Sequence, residues 1–481
     1  MLERRNPRQA KIAFFAVAHK PYWAQFPDLY DHLMGYHAKL KAKLEANGVT
    51  VQDFGMSDSS ERGYELADQI TAYHPDVVIC NMVTYATSSV FAPIMRAIDC
   101  PIVLAALQPL AALDYTKANT FMQLENDNVC SVPEFTGVAI RLGKKVNDVI
   151  FGTLHNDADA DAKLAEWCEI AKVLHDLKGA RLGLMGHVME AMYDMHADPT
   201  ALSAAFGLHV PLLEIEDVVA LYQQVTEPEI KEKSELILRE FDTPDPGSDP
   251  LATKLNATDL HEAARTAVAL DKLVEKYHLT GLAYYYAAQD NTIQRDVASS
   301  FIVGNSILNA EGIPMCGEYD IKTLVAMLIM DRLDIGGSFA ELHPFDFNSN
   351  CILIGHDGPH HLRIAEGRPV LRSLAKYHGK PGHGASVEFK LKEGPITMLG
   401  LTQNANGKFK FVIGEGYSQK GPIPPTGNTN TRAVFDRPLK EFIRDWVMQG
   451  PTHHYALGIG HHADTLAKIA DALGVEYVIV R

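Results

Sequence analysis

The sequence has few cysteines and contains no closely spaced pair of them. Thiols so far apart do not form the framework of a small disulfide-stabilised secreted protein, and they do not offer the paired thiolates of a structural zinc site. We therefore expect reduced thiols, mostly in the core, and a cytoplasmic protein. The six cysteines are Cys80, Cys100, Cys130, Cys168, Cys316 and Cys351.

Positive charge and long apolar runs are also scarce. Lysine and arginine total 44 against 60 aspartates and glutamates, which leaves a formal charge of −16. A surface that binds nucleic acid or an anionic membrane needs a basic patch, so neither partner is expected. No apolar run approaches the ~18–20 residues of a membrane-spanning helix. The short apolar run at 12–18 predicts a first strand rather than a signal peptide.

The N-terminal third alternates buried apolar runs with amphipathic helices. This pattern predicts a parallel sheet in a doubly wound α/β domain. No GxGxxG motif follows the first run, which disfavours dinucleotide binding. The polar and aromatic residues 19–23 stand there instead, either as a loop that faces a small polar ligand or as a purely structural loop. The expected strands are at 11–18, 49–54, 76–83 and 101–107, with helices near 26–46, 59–73 and 88–98.

The remainder divides into a second α/β region and a β-rich region. An aspartate-rich stretch at 155–161 indicates a junction that also begins a helix. Alternating segments after about 335, with the hairpin signal Asn406-Gly407, indicate a small barrel or sandwich. We thus predict two doubly wound α/β domains, at 1–160 and 161–320, followed by a β-rich C-terminal domain at 321–481.

Three ligand-type residues stand at the ends of predicted elements. Glu318 precedes an apolar-periodic helix, Glu341 lies in a short alternating segment after a double glycine, and His356 ends the apolar run 351–355. Two carboxylates with one or two imidazoles suit Mn²⁺, Mg²⁺ or Co²⁺ better than structural zinc. Taken singly, the same residues could also be ordinary surface acids and a hydrogen-bonded histidine. The pattern alone therefore leaves open both a metal site and this ordinary structural role.

Four motifs in this part of the chain resemble the metal-site region of the L-arabinose isomerase family. They are GE-x-D-x-K-T at 317–323, GG-x-SF-x-E at 336–341, G-H at 355–356, and a glycine-led histidine pair at 450–454. Their order and approximate spacing match the family's, and weaker likeness extends over 121–124, 133–135 and 186–189. L-fucose isomerases share the plan, so the resemblance does not identify the sugar.

The resemblance implies a metal-dependent aldose–ketose isomerase with Mn²⁺ as the favoured ion and Mg²⁺ or Co²⁺ as alternatives. It implies that Glu318, Glu341, His356 and His454 hold the ion. The two glutamates would also move a proton between the first two sugar carbons through an ene-diol, since this chemistry needs a base and an acid.

Two neighbours of these ligands have supporting roles in the same scheme. Asp320 would orient a ligand, and His453 would face the other way from His454 if its segment is extended, because adjacent strand residues point to opposite sides. The resemblance further implies a trimer-based homo-oligomer.

Substrate contacts follow from the resemblance at three positions. His19 and Tyr22 match the loop that contacts the sugar, with His19 in place of the usual glutamine, and Met189 matches a pocket residue that could equally be ordinary packing. Cys130 stands nearest to a sugar-contacting histidine of the family, and a thiol does not replace imidazole as a partner of a hydroxyl. The residues after His356 also differ from the family's apolar turn. The expected substrate is therefore a pentose or a (6-deoxy)hexose without further definition.

Two other function classes remain open on sequence. A non-catalytic sugar-binding or sensor protein would be built on paired α/β domains, but it would not need two glutamates and two histidines around one ion. A metal-dependent hydrolase or lyase would use the same ion to activate water. Its products would differ in mass from the substrate, whereas isomerisation conserves mass.

Overall fold

The structure, a computed structural model, describes residues 2–189, 191–247, 251–375 and 383–481. The chain forms two compact units. One is Arg8–Asp176, and the other combines Met1–Pro7 with Leu177–Arg481. We refer to them as the N-terminal unit and the main unit. The division into three domains at 160 and 320 stays a prediction.

The N-terminal unit contains a five-stranded sheet in which every pairing is parallel. Its strands are β1 (Lys11–Val17), β2 (Thr50–Ser57), β3 (Val77–Met82), β4 (Ile102–Gln108) and β5 (Asp148–Thr153). The strand order is β2-β1-β3-β4-β5, and β3 at the centre is buried along its whole length. The four strands expected from the apolar runs are present. The edge strand β5 was not predicted because only Ile150 in it is buried, so it lacks the apolar pattern.

Helices fill the connections between these strands, as parallel pairing requires. Ser59 begins α3, where its side chain accepts a hydrogen bond from the backbone N–H of Arg62. The aspartate-rich stretch forms the start of α7, as expected, and Asp157 accepts from the N–H of Ala160. The helices are α1 (Tyr22–Gln25), α2 (Leu29–Glu45), α3 (Ser60–Tyr73), α4 (Ala92–Ala97), α5 (Thr120–Glu125), α6 (Val132–Arg141) and α7 (Ala158–Leu177).

The main unit begins with α/β alternation and ends in a β-rich region. Its strands are β6 (Leu182–Met185), β7 (Leu212–Leu213), β8 (Ala252–Lys254), β9 (Gly281–Tyr284), β10 (Met315–Cys316), β11 (Gly336–Asp346), β12 (Cys351–Gly355), β13 (Val370–Ala375), β14 (His383–Glu388), β15 (Gly394–Gln403), β16 (Phe409–Ser418), β17 (Thr431–Val434), β18 (Tyr455–Ile459) and β19 (Glu476–Val480). Its helices are α8 (Pro199–Phe206), α9 (Ile215–Tyr222), α10 (Glu227–Glu240), α11 (Ala257–Tyr277), α12 (Ile293–Ser299), α13 (Phe301–Ala310), α14 (Ile321–Arg332), α15 (Leu439–Val447) and α16 (Ala463–Leu473). None of the helices in the described residues has the length and hydropathy needed to span a bilayer.

Three sheets organise this unit. A parallel sheet has the order β10-β9-β6-β7, and a small antiparallel sheet has the order β14-β13-β8. The third sheet runs β15-β18-β11-β12-β17-β16, and β16 pairs back to β15, so these strands close an antiparallel barrel. Strand β19 adds to β16 in parallel outside the ring. The expected mixed α/β chain with parallel sheets and a C-terminal barrel is confirmed, whereas the doubly wound placement of helices stays a prediction.

Several local expectations differ from the structure. Strand β11 is much longer than the short segment expected around Glu341. Helix α13 was missed because it is buried almost all round, with Asn305, Ser306 and Asn309 among apolar residues, so it shows no amphipathic stripe. Asp320 is the N-cap of α14 rather than part of its first turn.

Candidate metal centre

Glu318 lies in a strained turn between β10 and α14. Glu318 and Tyr319 adopt φ values of 59° and 64°, a left-handed conformation that costs side chains with a Cβ free energy. The turn is held because the N–H of Tyr319 donates to the carbonyl of Tyr284 at 2.8 Å. Asp320 then caps the helix by accepting from the N–H of Thr323 at 3.1 Å. The result is a glutamate that is only 8% exposed at the carboxyl end of a parallel sheet.

Strand pairing in the barrel brings Glu341 next to His356. Glu341 of β11 lies opposite Gly355 of β12, and His356 follows directly. The Nε2 atom of His356 is 4.0 Å from a carboxylate oxygen of Glu341 and 4.0 Å from one of Glu318. The double glycine that opens β11 lets the strand lie close to α14, since a Cβ on Gly337 would lie 2.8 Å from the carbonyl oxygen of Met327.

His454 reaches the same place from β18. Ala340 pairs with Tyr455, so the residue before Tyr455 lies beside Glu341. The Nε2 atom of His454 is 3.6 Å from Glu318 Oε2, and its Nδ1 atom is 3.1 Å from Asp320 Oδ2. Nε2 is buried without a hydrogen-bond partner among the described residues, which is what an imidazole awaiting a ligand would show.

His453 does not turn away from the cluster as its sequence position suggested. The strand begins only at Tyr455 and the chain bends at His453, so strand alternation does not apply there. The rings of His453 and His454 lie 3.8 Å apart, and a nitrogen of His453 is within 4.8 Å of ligand atoms of Glu318 and His454. Sequence reasoning failed because it assumed an extended backbone.

Asp194 holds His453 and was not foreseen. Its Oδ2 lies 2.7 Å from Nδ1 of His453 and accepts from the backbone N–H of that residue at 2.9 Å. Burial opposes ionisation of Asp194, but the hydrogen bonds from His453 hold the pKa of this carboxyl well below its usual range. Burial also opposes protonation of His453, yet the hydrogen bond to Asp194 raises the pKa of the imidazole.

The donor set fits a small divalent cation. Ligand atoms of Glu341, His356 and His454 lie within 4.8 Å of one another, and a second such set contains Glu318, His453 and His454. Two donors at about 2.1 Å from one octahedral ion are about 3.0 to 4.2 Å apart. The lower value belongs to adjacent donors and the upper to opposite donors, and the separations of 3.6 to 4.0 Å lie between the two. Carboxylate oxygens with imidazole nitrogens suit Mn²⁺ or Co²⁺, and Mg²⁺ less well.

Phe339 holds the two imidazoles in position. Its ring centroid is 4.4 Å from that of His356 and 4.3 Å from that of His454, and it is fully buried. An apolar wall beside the polar cluster lowers the local dielectric, so charges in the cluster interact more strongly than they would in water.

A pocket opens beside Glu318 and His356. Its wall combines polar residues with an apolar surface. Burial raises the pKa of Tyr286 to about 12, and the charge of Glu318 is the next largest cause. The hydroxyl therefore stays protonated and can donate a hydrogen bond. The hydroxyl of Tyr286 also lies 3.5 Å from the sulfur of Met189, which is not itself among the residues that line the pocket. Besides Glu318 and His356, the wall includes Tyr286, Arg295, Asp357, Phe301, Ile302 and Leu374.

His19 and Tyr22 lie in the N-terminal unit, in the loop that follows β1. The ring of His19 meets Tyr22 at 5.2 Å and Tyr85 at 5.9 Å, both edge to face. Burial raises the pKa of Tyr22, and Tyr85 and Cys130 are among the further causes. Cys130 is exposed, while four of the other five cysteines are buried. Tyr85 was missed because a lone tyrosine after a strand carries no sequence signal.

Comparison with known proteins agrees with this geometry. Residues 355–481 match the family model described as L-fucose isomerase, C-terminal domain. The chain is 25% identical to the L-arabinose isomerase of Nocardioides sp. over 99% of this chain and 94% of that protein. It is 22% identical to the L-arabinose isomerase of Herpetosiphon aurantiacus over 67% of this chain and 64% of that protein. It is 22% identical to the L-arabinose isomerase of Yersinia pseudotuberculosis over 75% of this chain and 71% of that protein.

The matches cover the chain from end to end, and the family model includes two of the histidines in the cluster, His356 and His454. The sequence motifs and the comparisons therefore lead to the same group. The chain is thus similar to L-arabinose isomerases over most of its length and to the L-fucose isomerase C-terminal domain at residues 355–481, which supports an aldose–ketose isomerase.

Proposed function

We propose that the chain is a divalent-metal-dependent isomerase of a pentose or a (6-deoxy)hexose. The observation that carries this proposal is that Nε2 of His356 lies 4.0 Å from a carboxylate oxygen of Glu318 and of Glu341, and Nε2 of His454 lies 3.6 Å from Glu318, although the four residues come from separate segments. Four such side chains also match the motifs that the resemblance assigned to the metal.

The two glutamates are proposed to move the proton. Isomerisation removes a proton from C2 of the aldose and places one on C1 through an ene-diol, and each transfer needs a positioned carboxylate. Glu318 is the more buried of the pair and Glu341 the more exposed, so their environments differ. A divalent ion, when bound, acts as a Lewis acid towards the sugar oxygens and orients the sugar.

The remaining residues hold this arrangement. His356 and His454 would complete the coordination, and Asp320 orients His454 through the 3.1 Å contact to its Nδ1. Mn²⁺ is the proposed resident ion, with Co²⁺ and Mg²⁺ as alternatives. His453, fixed by Asp194, is a third imidazole at the edge of the cluster.

Substrate contacts are proposed at two places. Tyr286 lines the pocket beside the cluster, where the far end of the sugar would lie, and Met189 contacts its hydroxyl. His19 and Tyr22 supply a hydrogen-bonding and stacking surface in the N-terminal unit. We also propose a trimer-based homo-oligomer, from the resemblance, and a cytoplasmic location, from the scattered cysteines. A monomer in light scattering would reject the oligomer.

The decisive experiment is a screen of aldopentoses and aldohexoses with Mn²⁺ for formation of the corresponding ketose. A product of unchanged mass is expected for at least one sugar. Glu318→Gln should abolish this activity, and Glu441→Gln, at an exposed helix position, serves as the matched control. Products of altered mass would instead indicate a hydrolase or lyase, and binding of a sugar without turnover would indicate a binding protein.

A further inference from the structure

Each imidazole of the cluster has its Nδ1 atom directed at an aspartate. At His453 and His454 the contact is a hydrogen bond, and an imidazole whose Nδ1–H donates to a carboxylate has its other nitrogen free as a ligand atom. At His356 it is an ion-pair contact without hydrogen-bond geometry. The pairs are His454 with Asp320 at 3.1 Å, His453 with Asp194 at 2.7 Å and His356 with Asp357 at 3.3 Å.

The three aspartates differ in what else they do. Asp320 also caps a helix, and Asp194 also binds the backbone of His453. Asp357 alone among them faces the pocket, where it lies in the wall with Arg295 and Tyr286.

His356 has little room to rotate away from Asp357. Its ring packs on Phe339 at 4.4 Å. On another side is Gly358, where a Cβ would lie 2.9 Å from Nδ1 of His356 and 3.5 Å from Phe339. Only glycine allows the chain to pass so close to the imidazole. The backbone after β12 is thus shaped so that Asp357 meets the ring.

We propose that Asp357 is a positioning residue that couples the metal centre to the sugar pocket. Its carboxylate orients His356 so that Nε2 points at Glu318 and Glu341, and the same side chain forms the part of the pocket wall that contacts sugar hydroxyl groups. The orientation of His356 depends only on the cluster, whereas the contact with sugar hydroxyl groups rests on the proposed isomerase function. Loss of the carboxylate should weaken metal binding and sugar binding together.

The test begins with metal-free protein and Mn²⁺ alone, measured by calorimetric titration. Asp357→Asn and Asp357→Ala should raise the Kd for Mn²⁺ by about 10- to 100-fold, as is usual when the partner of a ligating histidine is removed. Asp357→Glu should restore part of the loss. Asp99→Asn, at a position 98% exposed in the N-terminal unit, should leave Kd unchanged. Thermal melts of the metal-free variants should match wild type, which separates positioning from misfolding.

A second readout uses the isomerase reaction at saturating Mn²⁺. The KM for the sugar should rise several-fold in Asp357→Asn while kcat changes less, because the lost contact lies away from the transferred proton. A Kd for Mn²⁺ within twofold of wild type in Asp357→Asn would overturn the positioning role. An unchanged KM would overturn the contact with sugar.

These outcomes are separable from failure of the proposed function. If wild-type protein converts no aldose but its Mn²⁺ affinity still depends on Asp357, the isomerase proposal fails and the positioning role stands. If wild-type protein isomerises a sugar and Asp357→Asn has the wild-type Kd for Mn²⁺ and the wild-type KM for the sugar, the proposed function stands and the inference about Asp357 fails.

Discussion

The molecule presents polar and aromatic side chains after strands in two regions that differ in kind. In the N-terminal unit, His19, Tyr22 and Tyr85 meet edge to face. In the main unit, His356 and His454 face carboxylates, and the atoms that meet are oxygens and nitrogens at 3.1 to 4.0 Å. Aromatic edges and hydroxyls suit the faces and hydroxyls of a sugar, whereas a dense set of lone pairs suits a cation.

The difference also appears in how each region is supported. The imidazoles of the main unit are fixed by aspartates and by the buried ring of Phe339. Tyr22 is only half-buried, and no residue of its short helix α1 is fully buried, although Tyr22 packs on the core of its unit. A supported, buried site is suited to chemistry and a more open one to recognition. Each prediction below alters one region and asks whether the other is affected.

Removing the divalent ion should have the largest effect. Treatment with EDTA is expected to abolish ketose formation, and Mn²⁺ should restore it better than Mg²⁺ or Co²⁺, because the cluster has both oxygen and nitrogen donors. Elemental analysis verifies the metal content. Full activity in metal-free protein would show that the cluster of the main unit is not a catalytic metal site.

Replacing Glu341 by Gln should come next in size. The variant should remain folded yet lose at least about a thousandfold in kcat, since the substitution removes a proton-transfer group and a donor to the ion. Stopped assays of ketose formation measure the loss, and Glu441→Gln is the exposed control. A loss of only a few-fold would remove Glu341 from the proposed mechanism.

Replacing Tyr22 by Phe should have a modest effect confined to recognition. One lost hydrogen bond to a sugar hydroxyl is worth about 0.5–1.5 kcal/mol, or about a 2- to 13-fold rise in KM. The Kd for Mn²⁺ should stay at the wild-type value. Tyr64→Phe, more than half exposed in the same unit, is the control. A change in metal affinity without a change in KM would contradict the proposal that the N-terminal region contacts the sugar while the cluster of the main unit binds the metal.

The smallest effect concerns stability against pH, where one histidine of each unit should behave oppositely. Burial lowers the pKa of His360, in the main unit, to about 4. Because the unfolded chain binds this proton near pH 6.5, folding should lose up to about 3 kcal/mol as the pH falls from 6.5 towards 4. Urea unfolding of metal-free protein measures this, and His360→Gln should reduce the acid sensitivity. An unchanged pH profile in that variant would refute the assignment.

His175, in the N-terminal unit, provides the opposite sign. A hydrogen bond at 2.8 Å to Asp76 raises the pKa of His175 despite its partial burial. Its contribution to stability is complete below about pH 6.5 and is lost as the pH rises through the raised value. His175→Gln should therefore be most destabilised, relative to wild type, on the acidic side. Equal destabilisation at pH 6 and pH 8.5 would contradict this expectation.

Sequence patterns predicted the elements whose burial is periodic or continuous. The strands of the first sheet, the hairpin at Asn406-Gly407 and helix α14 follow from such patterns. The patterns failed for α13, which is buried almost all round, and for the short strands β8 and β13, whose pairing joins distant segments. Local propensity contains no information on partners so far away along the chain.

The candidate site shows the same division. Glu318, Glu341, His356 and His454 were predicted because they stand at element ends in recognisable motifs, although their roles stay proposals. Asp194, Tyr286 and Asp357 were not predicted as site residues. Asp194 is separated from His453 by 259 positions, so only folding reveals their contact.

The sequence by itself determined the types of donor residue, their order along the chain and the net negative charge of the protein. These properties depend on composition and local pattern alone. The tertiary structure decided which nitrogen of each histidine faces the cluster, that His453 joins it, and that the strands close into a barrel. The reason is that hydrogen bonds and coordination depend on distances of a few ångströms between side chains, which are determined by the packing of segments remote in the sequence.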